Sequence, residues 1–283
     1  MTAAPAGIAV GPVTDWFTRR VAGVRPPLDF ELVLGGRSNL TYVVTDTAGA
    51  RWVLRRPPTG HVLPSAHNVL RERAILAGLA GTAVPVPAVA GYCADPAVTG
   101  ADFYVMDFVD GVILNSDDEV AAIADPAQAS RNMVDTLVAI HRVDCGRAPF
   151  AELARPGGYL PRQLRRWIRQ LDVSGSGNVA LREVAALLSR DIPPQRRTGL
   201  VHGDFRPGNL ILGADGAVRA VLDWELSAVG DVLADLGWLV AVWASPVPIG
   251  WAPDPADGFL SAGEIVDCYR ARTGCEIGRA AGR

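Results

Sequence analysis

The sequence predicts an α+β protein of two lobes: a small β-rich lobe over residues 1–107 and a larger, mainly helical lobe over 108–283 that carries a short hairpin. Three observations predict it. Residues 28–107 alternate short β-branched and aromatic runs around one helical stretch, the spacing after Asp110-Gly111 becomes helical, and a strand–turn–strand signal interrupts those helices near residue 215. The 283 residues suit two lobes at roughly 150 residues each. With 49% hydrophobic and 20% charged residues, the chain can bury a core and is neither disordered nor fibrous.

In chain order, Val13–Val21 reads as a short helix. FELVLGG from Phe30, LTYVVTD and RWVLRR read as antiparallel strands, with a turn at Ala48-Gly49-Ala50 and a stop at Pro57-Pro58. Ser65 is placed to N-cap a helix running to Leu79. VPVPAVAGYC is extended, DFYVMDFV is a further strand, and residues 107–111 connect the lobes. Helices follow at 117–123, 127–143, 159–171 and 179–190, with an SGSG linker at 174–177. GLVHGDF, NLILG and AVRAVLDW read as strands, the last two joined by Ala214-Asp215-Gly216-Ala217, and helix resumes from Val232.

Charge and cysteine usage exclude several classes. There are 27 Lys+Arg against 30 Asp+Glu, a net charge of −3, so no bulk basic surface for nucleic acid is expected. All 27 basic residues are arginine, so chemistry that ordinarily uses a lysine must fall to another group. Cys93, Cys145, Cys268 and Cys275 have neither CxxC nor zinc spacing, which suits free thiols in a reducing cytoplasm. The N-terminus lacks the pattern of a secretory leader. Pro246 and Pro248 cut the longest uncharged stretch after about ten residues, short of a membrane span. No membrane and no obligate protein partner is expected.

The densest chemical signal is His202-Gly203-Asp204-Phe205-Arg206-Pro207-Gly208-Asn209, followed by the hairpin and Leu222-Asp223-Trp224-Glu225. Asn209 opens the first hairpin strand and Asp223 closes the second. Folding about Asp215-Gly216 returns both to one open end, beside the loop that holds Asp204. Asn and Asp oxygens are hard ligands suited to Mg²⁺, which takes one or two protein groups plus phosphate oxygens. A remaining Asp is free to accept a proton from a hydroxyl.

H-G-D-x-x-x-x-N followed by L-D-W resembles the catalytic loop and metal-binding Asp of the aminoglycoside phosphotransferase branch of the protein-kinase-like fold. The resemblance implies a bilobal fold, ATP and Mg²⁺ as cofactors, Asp204 as catalytic base, and Asn209 and Asp223 as metal ligands. It also implies a nucleotide site in the N-terminal lobe. There Gly35, Gly36, Ser38 and Asn39 fit a phosphate-covering turn. Met106 and Phe108 lie in the strand and hinge that would meet adenine through backbone groups, and Arg55 stands where the fold ordinarily carries a lysine, with Arg56 as competitor. Independently, Val69, Glu72, Leu76 and Leu79 recur at helical spacing. Glu72 therefore faces the core and needs a cation, for which Arg55 is the neighbour. A planar fork in place of an ammonium is not a neutral exchange. His202 is read as bracing its loop, and His141, Asp231 and Asp235 as structural.

Residues 162–171 place Arg162, Arg165, Arg166 and Arg169 on one helix face, opposite Leu164, Trp167, Ile168 and Leu171. Residues 112–200 hold 12 Arg against 10 Asp+Glu. The arginine face reads either as the solvated basic face of an amphipathic helix or as a stripe near the acceptor site. The second reading, with the small arginine excess, favours an anionic small-molecule hydroxyl acceptor over a polycation. VLRRPP and LPSAHNVLRE are similar to phosphotransferase domains fused to or encoded with acyl-CoA dehydrogenases, which implies a hydroxyacyl-CoA acceptor. The alternatives are an aminoglycoside O-phosphotransferase and a catalytically impaired nucleotide-binding scaffold. The resemblance leads one to expect further helices after Tyr269–Gly274, where this sequence reads GRAAGR and stops, so an acceptor pocket short of part of its wall is expected. Protein kinase activity is disfavoured because no activation segment follows Asp223.

Overall fold

The computed structural model describes residues 5–33, 39–59, 69–173, 178–245 and 251–277. The predicted turn residues Gly35, Gly36 and Ser38, the Ser65 cap and the 174–177 linker lie outside them. The N-terminal part comprises α1 (Val10–Arg20), β1 (Asp29–Leu32), β2 (Leu40–Thr45), β3 (Arg51–Arg56), α2 (Val69–Leu79), β4 (Val89–Cys93), α3 (Pro96–Thr99) and β5 (Phe103–Asp107). Its strands form one antiparallel sheet in the order β1-β2-β3-β5-β4. The fold is α+β as expected, with a sheet at the N-terminal end and helices beyond.

Alternation along β3 decides which arginine does what. Successive side chains of a strand point to opposite faces. Trp52 and Leu54 join Trp16, Phe17, Tyr42, Val44, Phe103 and Val105 in a core under α1. Arg56 shares that face and is held by the carbonyls of Gly7, Pro57 and Thr99. Arg55 is thereby aimed at the other face, towards α2, and Arg56 is removed as its competitor.

The helical part contains α4 (Pro126–His141), α5 (Tyr159–Val173), α6 (Val179–Arg190), β6 (Thr198–Val201), β7 (Leu210–Leu212), β8 (Val218–Val221), β9 (Ala228–Asp231), α7 (Leu233–Ala244) and α8 (Ala262–Thr273). Local chemistry sets several boundaries. Asp125 caps α4 by accepting from Gln128 N at 2.8 Å, with Pro126 at the first helical position. Ser261 and Glu264 form a reciprocal capping box at the start of α8. The segment expected as a helix at 117–123 is a 3₁₀ turn over Asp117–Ala122.

A second core runs from α2 (Val69, Ile75, Leu76, Leu79) and β5 (Tyr104, Met106) through α4 (Met133, Val134, Leu137) to Trp224, Leu236 and Tyr269. An 11-residue helix such as α2 is marginal on its own. Burying Ile75, Leu76 and Leu79 stabilises its position by roughly 1.5–3 kcal/mol per side chain. That burial fixes where Glu72 points. By contrast α5 buries only Tyr159, and Trp167, expected on its apolar face, is exposed.

Candidate active site

Two short ribbons build the centre of the site. β6 pairs with β9 and β7 pairs with β8, so residues 202–209 and 222–227 both cross from one ribbon to the other and must lie side by side. Leu222 stitches them together: its N–H donates to Asn209 O at 2.9 Å, and its carbonyl accepts from His202 Nε2 at 2.9 Å. The loops approach closely at Gly203, where φ is +91° and a Cβ would stand 2.8 Å from Leu226 O.

His202 is fully buried between Phe205 and Trp224. A carbonyl can only accept, so Nε2 carries the proton, and Nδ1 accepts from Asp204 N at 3.2 Å. Burial pushes the His202 imidazole below its ordinary value, with Asp235 and the Leu222 carbonyl opposing. The ring braces the loop, as the sequence suggests.

Asp204 Oδ2 accepts from Asn209 Nδ2 at 2.8 Å and from Arg206 Nε at 3.4 Å, while Oδ1 accepts from Trp238 Nε1 at 2.7 Å. Asn209 Nδ2 also donates to Asp204 O at 2.8 Å. With its nitrogen so engaged, Asn209 has its amide oxygen left as the acceptor that could ligate a cation. Asp223, across the two loops, sits at φ +63°, ψ +63°, a left-handed backbone at a non-glycine residue. Asn209 and Asp223 fit Mg²⁺ by donor chemistry, two hard oxygen donors that leave the other positions to phosphate and water. Among the described residues, no group of three or more His, Cys, Asp or Glu could hold a metal.

Arg55 ties this centre to the sheet. Its Nη1 donates to Glu72 Oε1 at 2.5 Å and its Nη2 to Asp223 Oδ1 at 3.3 Å. Burial alone would lower the Arg55 guanidinium; Glu72 above all, with Tyr104 and Asp223, holds it above its ordinary value instead. Burial pushes the Glu72 carboxyl up, against the pull of Arg55. Tyr104, opposite Arg55 in the β3–β5 register, adds a buried phenol whose pKa burial and the Glu72 charge raise well above the usual range.

Asn39, the residue before β2, is 95% buried, with neither side-chain polar atom hydrogen-bonded. Met106 lies in the shared core, whereas Phe108 lies outside β5 under the Arg51 guanidinium at 3.9 Å. The sequence reading missed Trp238 and gave Asp235 too small a role. Asp235 accepts from His202 N at 2.7 Å and from Gly203 N at 2.8 Å, and His141 and Tyr269 extend the same network. A carboxylate in the otherwise apolar LADLGWLVAVWA was the available signal, since such a group needs partners.

The family model described as the phosphotransferase enzyme family matches residues 29–272. The chain belongs to that family. Within it, this phosphotransferase-family chain is 37% identical over 216 residues to acyl-CoA dehydrogenase family member 10 of Mus musculus, covering 75% of this chain and 20% of that protein. The chain thus spans about a fifth of that relative's length. A crystal structure of a putative aminoglycoside phosphotransferase from Ralstonia eutropha JMP134 aligns with TM-score 0.75 and 30% identity, over 94% of this chain and 81% of the other. The fold is shared more distantly by APH(2")-IIa in its streptomycin–ATP ternary complex, with TM-score 0.58 and 14% identity over 95% and 83% of the two chains. Among the described residues, no helix of this family member is long and apolar enough to cross a membrane.

Proposed function

We propose that this family member is an ATP- and Mg²⁺-dependent small-molecule kinase that transfers the γ-phosphoryl group to an alcohol. The observation that carries the reading is the placement of Asp204, Asn209 and Asp223 on two stitched loops, with Arg55 reaching Asp223 from the sheet. Asp204, whose side chain is 22% exposed, takes the acceptor's proton. The acceptor oxygen forms the new bond to phosphorus, the bond from phosphorus to the β–γ bridging oxygen breaks, and ADP leaves. Arg55, fixed by Glu72, faces the phosphates. Asn39, with Gly35, Gly36 and Ser38 of the sequence next to it, is assigned to the nucleotide phosphates, and the β5 end with Met106 and Phe108 to the base. Mg²⁺ on Asn209 and Asp223, when bound, neutralises developing phosphate charge. Rate enhancement comes from positioning and electrostatics.

For the acceptor we favour an anionic molecule such as a hydroxyacyl-CoA. Arg165, Arg166 and Arg169 are exposed on α5, and Arg71, its guanidinium lowered by burial, also feels Arg155 and Arg166. The name of the 37% identical relative points the same way. We place the enzyme in the cytoplasm, consistent with four unpaired cysteines. ATP-dependent mass gain is to be measured across hydroxyacyl-CoAs, aminoglycosides and amino alcohols, with Asp204→Asn alongside. A phosphorylated acyl-CoA lost in the variant is expected. Phosphorylation of only cationic sugars transfers the acceptor assignment to aminoglycosides, and ATP binding without any product leaves the scaffold reading.

A further inference from the structure

We infer that Trp238 is a positioning residue for the proposed base, its indole N–H fixing the Asp204 carboxylate in the rotamer that faces the acceptor. This inference rests on the kinase reading above. Asp204 Oδ1 accepts from Trp238 Nε1 at 2.7 Å, while Oδ2 is held by Asn209 at 2.8 Å. The two oxygens are thus gripped from different elements, one from the loop itself and one from α7. Without Trp238, the side chain would be held through Oδ2 alone, by Asn209 and the longer Arg206 contact, and Oδ1 would be free to swing about the χ2 bond. An indole is well matched to this role, because it donates only and does not titrate near neutral pH. It orients a carboxylate without competing for the proton.

The grip belongs to a larger arrangement on α7. Asp235 lies three residues before Trp238, on the same helix face. Asp235 holds the backbone of the loop through His202 N and Gly203 N, and Trp238 holds the side chain of the next residue, Asp204. One rigid helix therefore sets both the path of the loop and the orientation of its carboxylate. Asp235 is itself fixed by His141, so the clamp is referenced to the core. Trp238 is half-buried, with its indole N–H on Asp204.

The test uses the full chain with Mg-ATP, reading ADP release with water as the default acceptor, and the fluorescent nucleotide N-methylanthraniloyl-ATP for binding. Trp238→Phe should lower kcat on the order of tenfold to a hundredfold, the scale of a misplaced catalytic group. KM for ATP and the affinity for the fluorescent nucleotide should stay within about twofold, because the hydrogen bond removed is the one to the proposed base. Trp238→Gln, which restores an N–H donor, should recover part of the loss. The Trp238 indole resonance in a ¹⁵N–¹H spectrum, assigned by its absence in Trp238→Phe, should move in Asp204→Ala.

An unchanged kcat in Trp238→Phe overturns the inference. So does a kcat loss accompanied by equal loss of nucleotide affinity, which marks a merely structural tryptophan, or an indole resonance indifferent to Asp204→Ala. Full turnover by Asp204→Asn, or no turnover by the wild type with any acceptor, removes the kinase reading itself. Loss of turnover in Asp204→Asn with none in Trp238→Phe removes only the role given to Trp238.

Discussion

Arg55 and Glu72 meet at 2.5 Å across the interface between β3 and α2, with the Glu72 side chain 2% exposed and that of Arg55 11%. Buried this deeply, neither charge is tolerable alone. Glu72→Ala should destabilise the fold by about 3–5 kcal/mol, because it leaves the buried Arg55 guanidinium with the longer 3.3 Å contact to Asp223 in place of its 2.5 Å partner. The double variant Arg55→Met/Glu72→Leu should recover most of that loss in urea titrations and yet bind N-methylanthraniloyl-ATP poorly. A double variant no more stable than Glu72→Ala would show that shape, not charge, sets the cost.

Acid should loosen the site through His202. Its folded-state pKa is lowered, with burial the leading cause, from an ordinary 6.5. The unfolded chain then binds the proton first, so the stabilisation is fully present above pH 6.5 and is lost as pH falls below it. Protonation at Nδ1 would also set an N–H against the Asp204 N–H that it now accepts. Thermal midpoints between pH 7.5 and 5 should fall more steeply for wild type than for His202→Gln. Parallel curves would remove His202 as the acid-sensitive group.

What the sequence made legible was chemistry carried by local spacing. The four-residue turn around Asp215-Gly216 is enough to bring the Asn209 and Asp223 ends of a hairpin together. A 3.6-residue period suffices to turn Glu72 inward. Asp235 and Trp238 were not legible in the same way, because their partners lie more than 30 residues away and depend on how α7 docks. β9 escaped because four residues of AVGD carry no strand pattern apart from their pairing with β6. The choice between Arg55 and Arg56 needed the alternation of β3 to be anchored by Trp52 and Leu54 in the core under α1.

Asp223 combines strain with function. A non-glycine residue at φ +63° costs of order 1–3 kcal/mol, and the 3.3 Å contact with the Arg55 side chain offsets part of it. Asp223→Gly should therefore fold with stability within about 1 kcal/mol of wild type, whereas Asp223→Val should lose at least 1–2 kcal/mol, being β-branched at a left-handed position. Both should lose Mg²⁺-dependent tightening of nucleotide binding. Strong Mg²⁺ dependence surviving in Asp223→Gly would count against Asp223 as a ligand.

The network behind the loop should behave as one unit. Asp235 joins two backbone amides to His141, whose other ring nitrogen lies 2.8 Å from Tyr269 Oη on α8. A carboxylate only accepts, so the ring donates to Asp235 through Nε2, and with the proton there Nδ1 is the acceptor for the phenol. Asp235→Asn replaces an acceptor oxygen by a donor amide facing N–H groups and should cost about 1–3 kcal/mol. Tyr269→Phe removes one hydrogen bond and should cost about 1 kcal/mol. Once Asn replaces Asp235, His141 no longer has a charged partner fixing its tautomer, so removing the phenol should then cost less. A double-mutant cycle should therefore give a coupling of at least about 0.5 kcal/mol, although the two side chains sit on different helices. Additive losses would mean that α8 supports the core without reaching the loop through His141.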